Sequence, residues 1–411
     1  MTKREIAILG TLDTKGEEVA YMKGLIEARG HSAILIDVAP LGPPGVKPDI
    51  DNQEVARLAG CELSSLLQTG ERDRVMEAMG EGAGRSLLNL LQEERLDGVI
   101  GIGGNQGSAI ASMAMRPLPI GFPKFLVSTV ASGDIRPYIG HKDIGVMFSV
   151  GDLVGGPNPV TRSVLANAVS GLLGMVEGGE RISLRQGERT VAVTALGNTE
   201  PAVSRATRLL RERGFEVVAF HASGAGGSAM EELIEAGFIN AVLDLTPHEV
   251  TEEVVGVGAY VPVRPGRLCA AGLMGIPQVV STGALEYVCF GPRESIPPGM
   301  RRRKIYMHNP CNGNMRVSGE EMAQVGKVMA ERLNEAHGPT AVLVPRRGWS
   351  VYGREGGPLH DPRGNKILVK ALRRHLKSHI RYEEIDVHIN DPQFADVCVR
   401  VLAELVEGMG R

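Results

Sequence analysis

The sequence contains little of what marks several specialised classes of protein. Its five cysteines are scattered, and no two form a Cys-x-x-Cys pair. A disulfide framework and a zinc cage of paired cysteines are therefore not indicated, and reduced thiols are the simplest interpretation. The net charge of -3 leaves no excess positive field, which argues against a general nucleic-acid binder or a membrane-surface binder.

Long apolar runs are also missing. The first apolar stretch, Ile6–Gly10, is too short for the core of a signal peptide, and no later run is long enough to span a bilayer. We therefore expect a cytoplasmic location. At 411 residues the chain exceeds the size at which a single core usually stops growing, so two domains are expected. For an enzyme of this size we also expect a homo-oligomer.

Glycine, in contrast, is abundant, with 53 residues. The most informative stretch is Gly98–Ser108, an apolar run that ends in a glycine turn and leads into a helix. Amides at such a turn, with the positive end of the helix, predict a phosphate site. Gly103, Gly104 and Gly107 can take positive φ angles and let a ligand approach the main chain, which a Cβ atom would obstruct. Because Gln106 replaces a fingerprint glycine and no Gly-Lys-Ser/Thr follows, neither standard nucleotide motif is present. A packing turn that binds nothing is the alternative.

Strands and helices alternate along the whole chain, which predicts an α/β fold with parallel sheets. A polar, glycine-containing segment at 181–189 indicates a linker between a Rossmann-like domain at 1–180 and a βα-repeat domain at 190–411. For the second domain, periodicity does not distinguish an open sheet from a barrel. Strands are predicted near 5–9, 32–37, 98–102, 124–128, 143–148, 191–195, 216–220, 240–244, 278–281, 303–306, 341–344 and 383–389, and helices of the first half near 16–29, 71–95, 105–115 and 161–177.

Two further segments of the first domain follow predicted strands, so we expect them near the glycine turn. In the first, Asp13 and Thr14 suit a helix cap or a metal-bound water, and Lys15 suits a phosphate; a plain cap with a solvated lysine is the alternative. The second concentrates hydroxyls with Asp134 and Arg136, which suit magnesium and phosphate. Asp13 and Asp134 are the predicted magnesium ligands. The predicted cofactor-binding residues are Asp13, Thr14, Lys15, Gly103, Gly104, Asn105, Gln106, Gly107, Ser108, Ser128, Thr129, Ser132, Gly133, Asp134 and Arg136.

The second domain has its own polar segments after predicted strands. Phe220–Met230 is a second glycine turn, interpreted equally as an anion site or as a sharp reversal. Asp244–Glu249 offers a general base, metal ligands or a capped helix, and His308–Arg316 offers groups that orient a substrate. A long loop at 345–361 is interpreted as a lid or as a surface excursion. The catalytic candidates are His221, Asp244, His248 and His308.

Five motifs lie along nearly the whole chain. They are Thr11–Glu17, Gly101–Gly107, Ser128–Asp134, His221–Gly227 and Asn390–Ala395. Together and in this order they resemble the family of the ATP-binding inhibitory domain of the tomato mosaic virus resistance protein. The resemblance implies an N-terminal Rossmann-like subdomain that binds ATP and a TIM-barrel-like C-terminal subdomain. Microbial members are uncharacterised, and inhibition of a viral protein does not transfer with a fold.

These expectations combine in an ATP-binding protein that uses magnesium. The turn amides hold phosphates, Lys15 or Arg136 offsets their charge, and a carboxylate positions Mg²⁺. Phosphoryl or adenylyl transfer to an unknown small molecule follows if a second substrate reaches the site. One alternative is an ATP-binding sensor or protein-interaction module without turnover. The other is a metal-dependent lyase or hydrolase centred on the second domain, with an ion near the catalytic candidates.

Overall fold

The computed structural model describes residues 2–183, 188–261 and 264–409. The chain divides into two compact units, Met1–Ile182 and Ser183–Arg411. The predicted linker at 181–189 includes residues 184–187, which lie outside the described residues. Among the described residues, no helix is both long enough and apolar enough to cross a bilayer.

The N-terminal unit is built on a parallel sheet. Its strands are Glu5–Gly10 (β1), Ser32–Asp37 (β2), Gly98–Gly103 (β3), Lys124–Ser128 (β4) and Gly145–Phe148 (β5). Its helices are Leu12–Ala28 (α1), Asn52–Leu58 (α2), Leu63–Gln68 (α3), Arg72–Gln92 (α4), Asn105–Met115 (α5), Arg136–Ile139 (α6) and Pro159–Gly178 (α7). The strand order is β2-β1-β3-β4-β5, with all pairings parallel, so the predicted parallel α/β class is confirmed here.

Two glycines of the central strand β3 let helices pack against both of its faces. A Cβ atom on Gly98 would lie 2.7 Å from Val176 of α7, and one on Gly101 would lie 2.6 Å from the Cβ of Ala111 in α5. The strand itself is fully buried, as expected for a parallel strand covered on both sides. This close packing fixes the start of α5 at the carboxyl edge of the sheet.

The C-terminal unit contains two sheets. Its strands are Thr190–Ala195 (β6), Glu216–His221 (β7), Ala241–Asp244 (β8), Gln278–Val280 (β9), Tyr287–Phe290 (β10), Ile305–Asn309 (β11), Asn312–Arg316 (β12), Thr340–Pro345 (β13) and Arg381–Ile385 (β14). Its helices are Glu200–Glu212 (α8), Ala225–Glu235 (α9), Glu249–Val255 (α10), Ala270–Leu273 (α11), Gly319–Leu333 (α12), Pro362–His375 (α13) and Pro392–Met409 (α14). Strands β10, β12 and β11 form a small antiparallel sheet.

The main sheet of this unit is open, and the TIM-barrel-like expectation is wrong. Its six strands run β14-β13-β9-β8-β6-β7, and all pairings are parallel. A barrel requires the two edge strands to pair, but β7 and β14 lie at opposite edges of the described sheet. The reason is a reversal at β6, where β7 adds on one side and the later strands add on the other.

The same reversal occurs in the N-terminal unit. There β2 adds on one side of β1, and β3, β4 and β5 add on the other. In open sheets of this kind, a crevice forms at the carboxyl ends of the strands where the order reverses, and ligands bind there. The crevice of the first unit therefore lies after β1 and β3, and that of the second lies after β6 and β8.

Candidate functional site

The first glycine turn follows β3 and opens α5. None of Gly103, Gly104 and Gly107 has a positive φ angle, so the turn does not use that conformational freedom. Gly103 is needed instead for close packing, because a Cβ atom there would lie 2.6 Å from the carbonyl carbon of Gly107. Gly104 is different, since its Cβ would approach only the Thr129 hydroxyl oxygen, at 3.6 Å. Open space therefore lies beside Gly104.

The first amides of α5 have no side-chain cap among the described residues, since the N-cap residue is Gly104. A helix leaves its first N–H groups without partners inside the helix, and Asn105 and Gln106 at this start are exposed. The neighbouring start of α1 is different, because the buried Asp37 carboxylate accepts a hydrogen bond of 3.1 Å from the amide of Leu12. Burial raises the pKa of Asp37, against the effect of the amides that bond to it. The start of α5 is therefore the one suited to an external anion.

Hydroxyl groups surround this start. Thr11 Oγ1 lies 4.0 Å from the position that a Cβ on Gly107 would take, and Thr129 lies beside Gly104. Asn105 Oδ1 accepts a 2.8 Å hydrogen bond from the hydroxyl of Tyr138. Sequence reasoning missed Tyr138, because its contact with the turn spans 33 residues.

Several predicted cofactor-binding side chains have partners within the protein. Ser108 Oγ donates a 2.7 Å hydrogen bond to Ser128 Oγ, and both residues are fully buried, so these hydroxyls join α5 to β4. Lys15 Nζ donates to the carbonyl of Leu153. Neither observation places these side chains on a ligand.

Asp134 and Arg136 form an exposed ion pair with a separation of 2.8 Å. The hydrogen bond from the Arg136 side chain lowers the pKa of Asp134. Ser132 and Gly133 lie in the same exposed loop. Of the two predicted magnesium ligands, Asp13 is the more available, because its buried Oδ1 has no hydrogen-bond partner among the described residues. Thr14 beside it contacts Thr11, with 3.0 Å between the two hydroxyl oxygens.

The second glycine turn, at the start of α9, is occupied by the protein itself. Glu249 Oε1 accepts hydrogen bonds from the amides of Gly227, at 2.9 Å, and Gly224, at 3.2 Å. Glu249 is fully buried. The turn therefore does hold an anion, but that anion is an internal carboxylate, and no room is left for an external phosphate.

A buried arginine stabilises that carboxylate. Arg267 lies 3.0 Å from Glu249, 2.7 Å from Asp244 and 3.0 Å from Glu231, and all four residues are buried. Burial disfavours the charge on Arg267, but the three carboxylates outweigh that effect and raise its pKa well above the usual value. Asp244 also accepts a 2.6 Å hydrogen bond from Thr194. Asp244 therefore belongs to a structural ion cluster.

A cavity of about 560 Å³ lies at the carboxyl edge of the second unit, against the small antiparallel sheet. Its described lining is aromatic and amide-rich and includes no Lys, Arg, Asp or Glu. Asn198 Oδ1 in this lining is buried and has no hydrogen-bond partner among the described residues, so it can accept one from a bound molecule. The lining residues are Leu196, Gly197, Asn198, His221, Ala259, Tyr260, Tyr287, Cys289, Phe290, Tyr306, His308, Asn312, Asn314, Val351 and Tyr352.

The predicted catalytic residues lie in different environments in this unit. His221 and His308 line the cavity, while His248 is fully buried beside it, 3.2 Å from Glu252 Oε1. Despite burial, Cys289 and Glu252 raise the pKa of His248 well above its usual value. Burial also raises the pKa of Tyr260 and of Tyr287, so both remain protonated hydroxyl donors.

Sequence reasoning missed Glu252 and Cys289. Glu252 stands one helical turn after His248, a spacing that places both side chains on one face of a helix. Cys289 lies 37 residues beyond Glu252 and reaches it because β10 packs beside α10, where the Cys289 amide donates to Glu252 Oε1. In the loop at 345–361, interpreted above as a lid or a surface excursion, Trp349 and Ser350 are buried, and Trp349 Nε1 donates to the Pro345 carbonyl.

The chain is a mixed α/β protein with a parallel sheet in each unit. The candidate sites lie at the carboxyl ends of the strands of these two sheets. The chain belongs to the uncharacterised protein family UPF0261, whose N-terminal domain matches residues 4–181 and whose C-terminal domain matches residues 188–406. It is 41% identical over 405 residues to a UPF0261 protein of Clostridium tetani, covering 98% of this chain and 99% of that protein.

A plant relative is the ToMV resistance protein Tm-1(GCR237) of Solanum lycopersicum. The two are 39% identical over 319 residues, which cover 76% of this chain and 42% of the tomato protein. The predicted resemblance to that family is confirmed. Among solved structures, a UDP-N-acetylglucosamine 2-epimerase covers 100% of this chain and 97% of that chain, at 12% identity and a TM-score of 0.22. The S. aureus MnaA-UDP co-structure has a TM-score of 0.20 at 12% identity, and the match covers 68% of this chain and 79% of that chain. These scores support no inference about function.

Proposed function

We propose that the N-terminal unit binds ATP with Mg²⁺ at the first glycine turn, and that the chain transfers a phosphoryl or adenylyl group to a small molecule. The observation that carries this proposal is the uncapped start of α5. At the α1 start and at the second glycine turn, a buried carboxylate of the protein accepts the amide hydrogen bonds. The α5 start offers the same donors to an external anion, and phosphate is the anion that such a site favours.

The surroundings of the turn support a nucleotide. Gly104 leaves the main chain open on the side of Thr129, so a phosphate oxygen can approach the amides. Thr11 flanks the same turn and offers a further donor. The exposed Arg136 supplies positive charge if it exchanges Asp134 for a phosphate, a contact that suits a guanidinium. The resemblance to the ATP-binding family of the tomato protein favours ATP among nucleotides.

Asp13 is the residue best suited to hold Mg²⁺ or one of its waters. Its Oδ1 is buried without a hydrogen-bond partner among the described residues, and carboxylate oxygens are preferred magnesium ligands. Asp134 would have to give up its ion pair with Arg136. Bound ATP with Mg²⁺ would supply the transferable group, and ADP or pyrophosphate would be released.

Calorimetry with ATP and Mg²⁺ tests the binding site. We expect Gly104→Val to weaken ATP binding about 100-fold, or about 2.7 kcal/mol, because its side chain fills the open space. The matched control is Gly24→Val, on the exposed face of α1, where no atom lies within 4 Å of an added Cβ. Unchanged affinity in Gly104→Val, or equal loss in both variants, contradicts the proposed site.

Turnover is tested separately with the wild-type chain. Phosphorus NMR of ATP and Mg²⁺ with mixtures of small metabolites should show ADP or pyrophosphate that depends on an added acceptor. Tight ATP binding with no product across those mixtures would contradict the transferase proposal and support the sensor instead.

A further inference from the structure

Three metal-binding side chains meet beside the cavity of the C-terminal unit. Ligand atoms of His248, Glu252 and Cys289 all lie within 4.8 Å of one another. His248 and Glu252 are fully buried, and Cys289 lines the cavity. The three residues contribute one nitrogen, one oxygen and one sulfur donor, a mixed set that suits Zn²⁺.

The hydrogen bonds of His248 fix which ring nitrogen carries hydrogen. His248 Nδ1 lies 2.6 Å from the carbonyl oxygen of Ala284, and a carbonyl only accepts, so Nδ1 carries the hydrogen. That leaves Nε2 facing Glu252 Oε1 at 3.2 Å, where a bound metal ion would take the place of any hydrogen that the two atoms share. Histidines that bind metals through Nε2 are oriented in this way by a carbonyl on the other nitrogen.

Glu252 is held in place by main-chain amides. Its Oε1 accepts from the amide of Cys289 at 2.7 Å, and its Oε2 accepts from the amide of Tyr260 at 2.8 Å. Each oxygen keeps a second lone pair for a metal. Gly258 makes room for this carboxylate, because a Cβ atom there would lie 2.1 Å from Glu252 Oε2.

We propose that His248 Nε2, the Glu252 carboxylate and Cys289 Sγ bind Zn²⁺, and that the adjoining cavity takes a small uncharged molecule whose oxygen becomes the fourth ligand. Zinc bonds of 2.0–2.3 Å place tetrahedral ligands about 3.3–3.8 Å apart, within the spread of these three atoms. Three protein ligands leave one position open, as in catalytic zinc sites. The cavity is reached on the side of Cys289.

The cavity lining determines the class of bound molecule. Its described residues include no lysine, arginine or carboxylate side chain, which favours an uncharged molecule over a phosphorylated or strongly ionic one. Tyr306 and Tyr352 offer ring faces, with 5.1 Å between their centroids, and Asn198 and Asn314 offer amides. A small polar molecule with an unsaturated or ring portion fits this lining.

Metal titration of the full chain, stripped with a chelator, tests the centre directly. With Co²⁺ alone we expect a thiolate-to-cobalt charge-transfer band that saturates at one ion per chain and disappears when Zn²⁺ displaces it. Cys289→Ser should abolish the band and weaken Zn²⁺ binding at least about 100-fold, the upper range for a lost supporting contact. The matched control, Cys311→Ser, changes an exposed thiol outside the cluster and should retain both properties.

Alkylation gives a second readout that does not depend on the variants. Zn²⁺ should slow the reaction of iodoacetamide with Cys289 and leave that of Cys311 unchanged, as measured by peptide mass spectrometry. A titration without a thiolate band, or equal rates at Cys289 with and without Zn²⁺, would overturn the proposal. Gly104→Val should keep the cobalt band, so failure of the ATP site and failure of the metal centre are distinguishable.

Discussion

The two glycine turns of this chain share a position in the fold but differ in what fills them. Each opens a helix at the carboxyl edge of a parallel sheet, and both sheets reverse their strand order near their first strand. Both turns have a glycine at the N-cap, but the amides of the second turn donate to the protein's own Glu249. The pattern of a glycine turn after a strand therefore does not tell whether the turn amides bond to the protein's own carboxylate, as they do at the second turn.

The largest expected effect comes from emptying the second turn. Glu249→Ala removes the acceptor of two buried amides and one partner of Arg267, so we expect a loss of about 3–5 kcal/mol in the free energy of unfolding. The single tryptophan, Trp349, lies in this unit, and its emission during denaturant unfolding reports on it. Glu235→Ala is the control, because its ion pair with Arg264 is exposed and should cost at most about 1 kcal/mol. Equal losses in the two variants would show that Glu249 does not hold the turn.

Replacing one glycine of each turn by alanine distinguishes the two turns, and the expected loss of stability is of intermediate size. A Cβ on Gly227 would lie 2.5 Å from both Arg267 Nε and Glu249 Oε1, whereas one on Gly104 has no neighbour within 3.5 Å. We expect Gly227→Ala to cost about 2–3 kcal/mol and Gly104→Ala to change stability by less than about 0.5 kcal/mol. Thermal unfolding followed by circular dichroism measures both. A loss of stability greater than about 0.5 kcal/mol in Gly104→Ala would mean that the space beside Gly104 in the first turn is filled as well.

The smallest expected effect on the free energy of unfolding comes from a third helix start, that of α12 at the surface. In α12, Ser318 and Glu321 form a capping box, and Arg303 lies 2.7 Å from Glu321. Burial opposes ionisation of Glu321, but hydrogen bonds from Arg303 and Ser318 prevail and lower its pKa. Because the folded pKa is below the unfolded one, the stabilisation is present above the ordinary glutamate pKa and is lost as pH falls through the folded value.

Glu321→Gln should therefore cost about 1 kcal/mol at pH 7, and the difference from wild type should close as the pH falls below about 4. Denaturant unfolding of both proteins across that range measures it. A gap that stays constant down to pH 3 would contradict the carboxylate's role.

The sequence was sufficient to predict most parallel strands, because buried strands such as β3 and β13 are short apolar runs bounded by turn residues. It was not sufficient for the antiparallel sheet, since β12 reads Asn-Gly-Asn-Met-Arg, which lacks apolar alternation. It also could not decide between an open sheet and a barrel, because strand order depends on contacts between distant segments.

The candidate sites show the same difference between what the local sequence predicts and what depends on contacts between distant segments. His248 was identified from its place after a strand, but Cys289 approaches it only through the tertiary fold. Asp244 was identified in the same way, yet Arg267 and Thr194 occupy it. Local pattern locates the edge at which polar groups gather, and long-range packing decides which of them remain available.

The aromatic lining of the cavity has an optical consequence. Ring contacts run from His248 to Tyr287 at 4.8 Å, on to Tyr352 at 5.8 Å, and from there to Tyr306 at 5.1 Å and His308 at 6.3 Å. Tyr352 is three residues from Trp349, so the two residues are at most about 11 Å apart along the chain. We therefore expect excitation energy absorbed by the cavity tyrosines to pass to the single tryptophan, and a molecule bound between the rings to change that transfer. Intrinsic tryptophan fluorescence would then report occupancy of the cavity without an added label.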